Sequence, residues 1–164
     1  RKFSADTFGT DVVLNYSNFN LFFNKPLLKE KGLELDKVKQ SFKDFMMTQD
    51  QVKRVYTEEE ILASTGADYF LSFIAKGYDP KQNGDLFILD KAGYLEYIET
   101  GTTHGSANSY DTHVPMLFYG WHVPKGNSHS KKHITQIAPT LSQLLKIPFP
   151  NGTESEVLEE LFVK

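Results

Sequence analysis

Between Gly101 and Gly120 the sequence GTTHGSANSYDTHVPMLFYG sets two histidines, an aspartate and a group of hydroxyl side chains against an apolar run. Neutral imidazole binds zinc and similar divalent ions, and a glycine beside it lets the backbone approach closely. His104, in Thr102-Thr103-His104-Gly105, fits that chemistry, and His113, in Asp111-Thr112-His113, is its competitor. Asp111 is placed to orient either ring through its second nitrogen, and the Thr103 hydroxyl offers a supporting hydrogen bond behind the ligand. Cysteine is absent, so a metal held here takes its donors from His, Asp, Glu or hydroxyl groups. His122, His129 and His133 fall in or beside a polar loop and read as solvated side chains. Asn151-Gly152-Thr153 matches a glycosylation acceptor pattern that is common by chance, and Asn83-Gly84-Asp85 reads as a turn.

The rest of the chain has to hold these groups in place. Its 164 residues are enough for one domain with a sizeable core and too few for two full-sized ones. The net charge of −3 comes from 18 basic and 21 acidic residues without a basic block, which argues against a nucleic-acid partner. No apolar run is long enough for a membrane-spanning helix. The chain opens on Arg1-Lys2-Phe3 with neither a signal peptide nor an initiator Met, as expected of something processed or cut from a longer protein.

Local patterns give the elements. Residues 11–25 (DVVLNYSNFNLFFNK) read as strand, tight turn, strand, and Pro26 and Gly32 bracket a connection. Leu35, Val38, Phe42, Phe45 and Met46 recur at helical spacing, which predicts an amphipathic helix with a core-facing stripe. Residues 51–56 alternate as a strand, Thr57 with Glu60 forms a capping box, and ADYFLSFIAK reads as a further helix. Residues 86–89 form an apolar strand, and a second strand, YLEYI, follows a turn at residues 90–93. The order through residue 100 is therefore ββαβααββ. Residues 114–119 (VPMLFY) have the nearly unbroken apolarity of a strand buried on both faces. Ile134, Ile137, Ala138, Leu141, Leu144 and Leu145 mark a helix face, with Thr135 as its cap and Pro139 tolerated in the first turn. A weak terminal helix is expected over residues 154–162.

The run GTTHGSANSYDTHVPMLFYGW, followed by ITQIAPTLSQLLKIPFPNG, strongly resembles the C-terminal end of the alkaline phosphatase superfamily. It is most similar to the branch of bacterial secreted phosphomonoesterases and type I phosphodiesterase/nucleotide pyrophosphatase enzymes. NYSNFNLFFN and GYDPKQNGDLFILDKAGYLE resemble the hairpin and the strand and turn that lead to the histidine loop in that family. The resemblance implies that a THG-type loop supplies the last histidine ligand of a two-zinc site, here His104. It implies that YD-x-x-VP leads into the closing strand of the sheet, and that an IAPTLS-type helix with a proline-rich turn completes an α/β fold. The remaining ligands of that family sit in Asp-x-x-x-His and Asp-His motifs, and this chain contains neither. The nucleophilic Ser or Thr is expected to lie outside the chain as well.

These readings set the expectations. The chain is an α+β fragment, with a mixed sheet, a β-hairpin and three or four helices, of an enzyme that is α/β when intact. Residues 1–100 form one subdomain, and residues 101–164 carry the ligand loop, closing strand and last helices. The intact enzyme hydrolyses phosphate monoesters with two zinc ions, and the fragment alone is inactive and holds no zinc tightly. Alternatives are a nucleotide pyrophosphatase/phosphodiesterase, or a binding module that keeps the fold segment without activity. The resemblance implies a small phosphate ester as substrate and a periplasmic or secreted location. The unpartnered closing strand gives the fragment a route to a non-native dimer.

Overall fold

The computed structural model describes residues 1–94, 101, 104–120 and 122–162, which divide into two compact units, residues 1–114 and 115–164. In the first unit, β1 (Val13–Ser17) and β2 (Asn20–Phe23) form the expected hairpin. Its turn residues Asn18 and Phe19 both have positive φ, 49° and 64°, the backbone that a two-residue hairpin turn requires. The sheet order is β1-β2-β4-β3, with β3 at Val52–Thr57 and β4 at Leu86–Asp90, and every pair is antiparallel.

Alternation along the two partnered strands sorts their side chains to opposite faces. Val55 and Ile88 join Val12, Leu28, Val38 and Phe42 in one cluster, while Tyr56 and Leu89 join Ile61 and Ile74 in another. Helix α3 (Leu35–Met47) covers the first face, where Phe42 meets Phe3, Phe8 and Phe23. Helices α4 (Glu58–Leu62) and α5 (Tyr69–Gly77) cover the second. The Thr57–Glu60 capping box starts α4, and Asp68 caps α5 by accepting from Leu71 N–H at 2.9 Å.

Several expectations change. Lys2–Phe8 forms a helix, α1, whose Phe3 and Phe8 fill the first core, so the order through β4 is αββααβααβ. The connection bracketed by Pro26 and Gly32 is helix α2 (Lys25–Glu30): Asn24 accepts from Leu27 N–H at 3.1 Å, and Pro26 sits in the first turn, where a missing N–H costs nothing. Among the described residues seven α-helical segments stand where three or four were expected, and the sheet is antiparallel rather than mixed. The strand expected over YLEYI falls largely on residues outside those described.

The start of β4 is fixed by a close approach. A Cβ on Gly84 would lie 2.6 Å from the Leu21 carbonyl oxygen, so only glycine fits beside β2. Next to it, the buried Asp85 carboxylate accepts from Phe23 N–H at 2.9 Å and pairs with Lys25 at 2.9 Å.

In the second unit, a 3₁₀ turn (Ile134–Gln136) leads into helix α7 (Ile137–Leu145), and a second 3₁₀ turn occupies Glu159–Leu161 in place of the expected terminal helix. The Gln136 side chain, rather than Thr135, closes the first turn by accepting from His133 N–H at 2.8 Å. Helix α7 is reversed relative to its amphipathic pattern. Thr140 is fully buried, accepts from Leu158 N–H at 2.9 Å and donates to Gln136 O at 2.6 Å, while Leu141 and Leu145 are exposed. Residues 114–119 form no strand, and Leu117 and Tyr119 are 89% and 102% exposed. The apolar run has no ladder partner among the described residues, and a strand exists only by pairing.

Candidate functional site

The segment that carries His104 and Asp111 belongs to the first unit. Helix α6 (Ser109–Thr112) is a single turn after Asn108, whose carbonyl accepts from the N–H groups of Asp111 and Thr112, both at 3.0 Å. Asp111 reaches back from this turn. Its Oδ2 accepts from the Ser106 hydroxyl at 2.6 Å and from Ser106 N–H at 2.9 Å. The Ser106 hydroxyl in turn accepts from the Asn108 amide at 3.2 Å, and Asn108 also donates to the Tyr110 hydroxyl at 3.2 Å. Tyr110 accepts from Gly93 N–H at 3.4 Å, which ties the loop to the turn after β4, while Ala107 packs on the second core cluster.

This closed set of bonds leaves His104 exposed at the loop's entrance, followed by Gly105 at φ +112°, a backbone open only to glycine. The two Ser106 donors hold the Asp111 carboxyl below the usual carboxylate range, and the charge of a protonated His104 nearby acts in the same direction. Asp111 therefore stays ionised at neutral pH and fixes the loop through Ser106. His113 is exposed at the end of α6, its N–H donating to Ser109 O at 2.9 Å. Thr103 lies outside the described residues. His122, His129 and His133 are exposed on the second unit.

Ser106, Asn108 and Tyr110 are the loop residues that sequence reasoning missed. Their signal is the Ser-x-Asn-x-x-Asp spacing, in which short polar side chains bond to nearby backbone and stand in for regular structure. A hollow of about 230 Å³ in the first unit is lined by Lys53, Arg54, Tyr56, Asp68, Phe70 and Leu89, and two of these, Arg54 and Asp68, are already paired at 2.9 Å.

A catalytic zinc normally takes three protein ligands. Among the described residues no three His, Asp or Glu side chains gather closely enough to hold a metal ion. The donor set fits one corner of a metal site, an exposed imidazole on a braced loop, and does not fit a complete one.

No protein-family model matches the chain. Alkaline phosphatase PafA of Elizabethkingia meningoseptica is 38% identical over 166 residues, covering 98% of this chain and 29% of that protein. Alkaline phosphatase PhoV of Synechococcus elongatus is 33% identical over 144 residues, with 88% and 26% covered. A calcium-transporting ATPase of Myroides odoratus is 33% identical over 159 residues, with 95% and 29% covered. The crystal structure of wild-type PafA superposes with a TM-score of 0.87 at 37% identity, over 95% of this chain and 30% of that one. The chain belongs to the alkaline phosphatase superfamily and spans under a third of the length of these relatives.

Proposed function

We propose that the chain is the C-terminal part of a zinc-dependent phosphatase that hydrolyses phosphate monoesters and works in the periplasm or outside the cell. The observation that carries this reading is the exposed His104 on its braced loop, in a segment 38% identical to an alkaline phosphatase. His104 supplies one neutral imidazole to a two-metal site, and Asp111, through Ser106, holds the loop that presents it. Bound zinc supplies activation of the nucleophile and charge stabilisation of the leaving oxygen. The Ser or Thr nucleophile and the other ligands come from outside the chain, so the chain alone turns over nothing. A phosphodiesterase or nucleotide pyrophosphatase would use the same corner, because His104 binds metal rather than the ester substituent.

The test compares the purified chain with its full-length protein on an aryl phosphate monoester and the matching diester, with and without chelator. Chelator-sensitive hydrolysis of the monoester by the full-length protein alone is the expected result. Preference for the diester replaces the monoester reading, and turnover by the chain alone refutes the division of the site. A full-length protein inert towards both esters leaves the binding-module reading standing.

A further inference from the structure

Two Asn-Gly pairs occur in this chain, Asn83-Gly84 and Asn151-Gly152, and the fold treats them in opposite ways. At the first pair, both reacting groups are held. The Asn83 side-chain oxygen accepts from Asp79 N–H at 2.8 Å, and its nitrogen donates to Asn20 Oδ1 at 3.3 Å. Gly84 N–H donates to the same Asn20 oxygen at 2.9 Å, and Gly84 is buried against β2.

The second pair forms the exposed turn after α7. Gly152 has φ +77°, and even a Cβ placed on it would meet nothing within 4 Å. Thr153 N–H closes the turn on Pro150 O at 3.2 Å, but among the described residues neither the Asn151 amide nor Gly152 N–H has a hydrogen-bond partner.

We propose that Asn151 is a site of spontaneous deamidation, with Asn83 protected by its hydrogen bonds. The Gly152 nitrogen attacks the Asn151 side-chain carbonyl carbon, forming a carbon–nitrogen bond and closing a succinimide ring. The glycine amide proton passes to the departing nitrogen, which leaves as ammonia. Water then opens the ring at either carbonyl and gives aspartate or isoaspartate, with no oxidant or reductant involved. A glycine is the favourable neighbour because no side chain crowds the attacking nitrogen.

The product changes the second unit locally. It places a new carboxylate three residues before Glu154, and isoaspartate lengthens the backbone just before a clamped segment. That segment is held to α7 by Leu158 N–H on the Thr140 hydroxyl at 2.9 Å, and to the preceding turn by the Ser155 hydroxyl on that of Thr135 at 2.7 Å. The modified turn must strain those bonds or release them.

The test ages the purified chain at mildly alkaline pH and maps both sites by peptide mass spectrometry, with enzymatic methylation to count isoaspartate. Conversion at Asn151 is expected to be at least about tenfold faster than at Asn83, because the protecting hydrogen bonds must open first at the latter. In denaturant the two sites should convert at similar rates. Asn20→Ala should speed conversion at Asn83 and leave Asn151 unchanged. Conversion at Asn83 as fast as at Asn151 in the folded chain overturns the proposal. So does an Asn151 that stays an amide when folded but converts in denaturant.

Discussion

At the scale of single residues, the proposed function chooses His104 over His113 as the metal ligand, and two local features support that choice. His104 precedes a glycine at φ +112° and stands at the mouth of a loop fixed by the Asp111–Ser106 bonds. His113 ends a single helical turn, with its backbone N–H already committed to Ser109. In the full-length protein, His104→Ala should lower both bound zinc and kcat/KM by more than the roughly 10–100-fold that loss of a supporting contact costs. His113→Ala should stay within that range. Metal content and kcat/KM measured on both variants decide the matter, and zinc lost from His113→Ala but kept by His104→Ala reverses the assignment. That His104 and Asp111 share one polar loop was legible from residue type. That Asp111 acts on the loop through Ser106 was not, because hydrogen bonds among small polar side chains leave only a weak spacing signal.

At the scale of elements, the hairpin, α3, β3, the α4 capping box, α5 and β4 all followed from periodicity and capping chemistry. Helices α1 and α2 did not, because each has fewer than two full turns of pattern and α2 contains a proline, whose breaker signal outweighed its fitness for a first turn. Close backbone contact is equally invisible in sequence, and Gly84 is the case to test. Gly84→Ala places a methyl 2.6 Å from Leu21 O between β2 and β4, and should destabilise the first unit by about 1–3 kcal/mol in urea unfolding. An unchanged midpoint would show that the strands part without cost. Between α3 and α4 the Lys39 ammonium, 8% exposed, is held by Glu59 at 2.7 Å and Asp36 at 3.3 Å. The bond from Lys39 holds the Glu59 carboxyl down at about 2, from 4.5. A depressed folded pKa means the bond's contribution is complete above pH 4.5 and is lost as pH falls from there through about 2. Glu59 is 66% exposed, so solvent screening limits that contribution to about 1 kcal/mol or less. Glu59→Gln should therefore flatten the acid limb of stability against pH and leave the curve above pH 6 offset by about that amount. An unaltered acid limb would assign the loss to other carboxylates.

At the scale of the whole molecule, the part of the sequence that fits its surroundings least well carries motifs on which the resemblance to the superfamily was read. In the second unit, Leu117, Tyr119, Ile134, Leu141 and Leu145 are exposed although the sequence patterns them as core, and Thr140 is buried in their stead. The strand expected over residues 114–119 does not form, and the patterned face of α7 stays largely uncovered. The relatives extend well beyond the segment matched here, and under the proposed function the missing layer is the remainder of the phosphatase fold. Each Leu or Phe that becomes fully covered contributes about 1.5–3 kcal/mol, so this surface favours association when that remainder is absent. The isolated chain should gain mass with concentration in sedimentation equilibrium, and Leu117→Asp and Leu145→Asp should each return it towards monomer. In the full-length protein the same substitutions should instead destabilise, by about 2 kcal/mol or more, because they set an unpaired charge in a covered site. The two arms have opposite signs, which separates a surface made for intramolecular cover from one that is merely adhesive. A chain that stays monomeric at high concentration, with both aspartate variants neutral in the full-length protein, would mean that these side chains face solvent in the intact molecule as well.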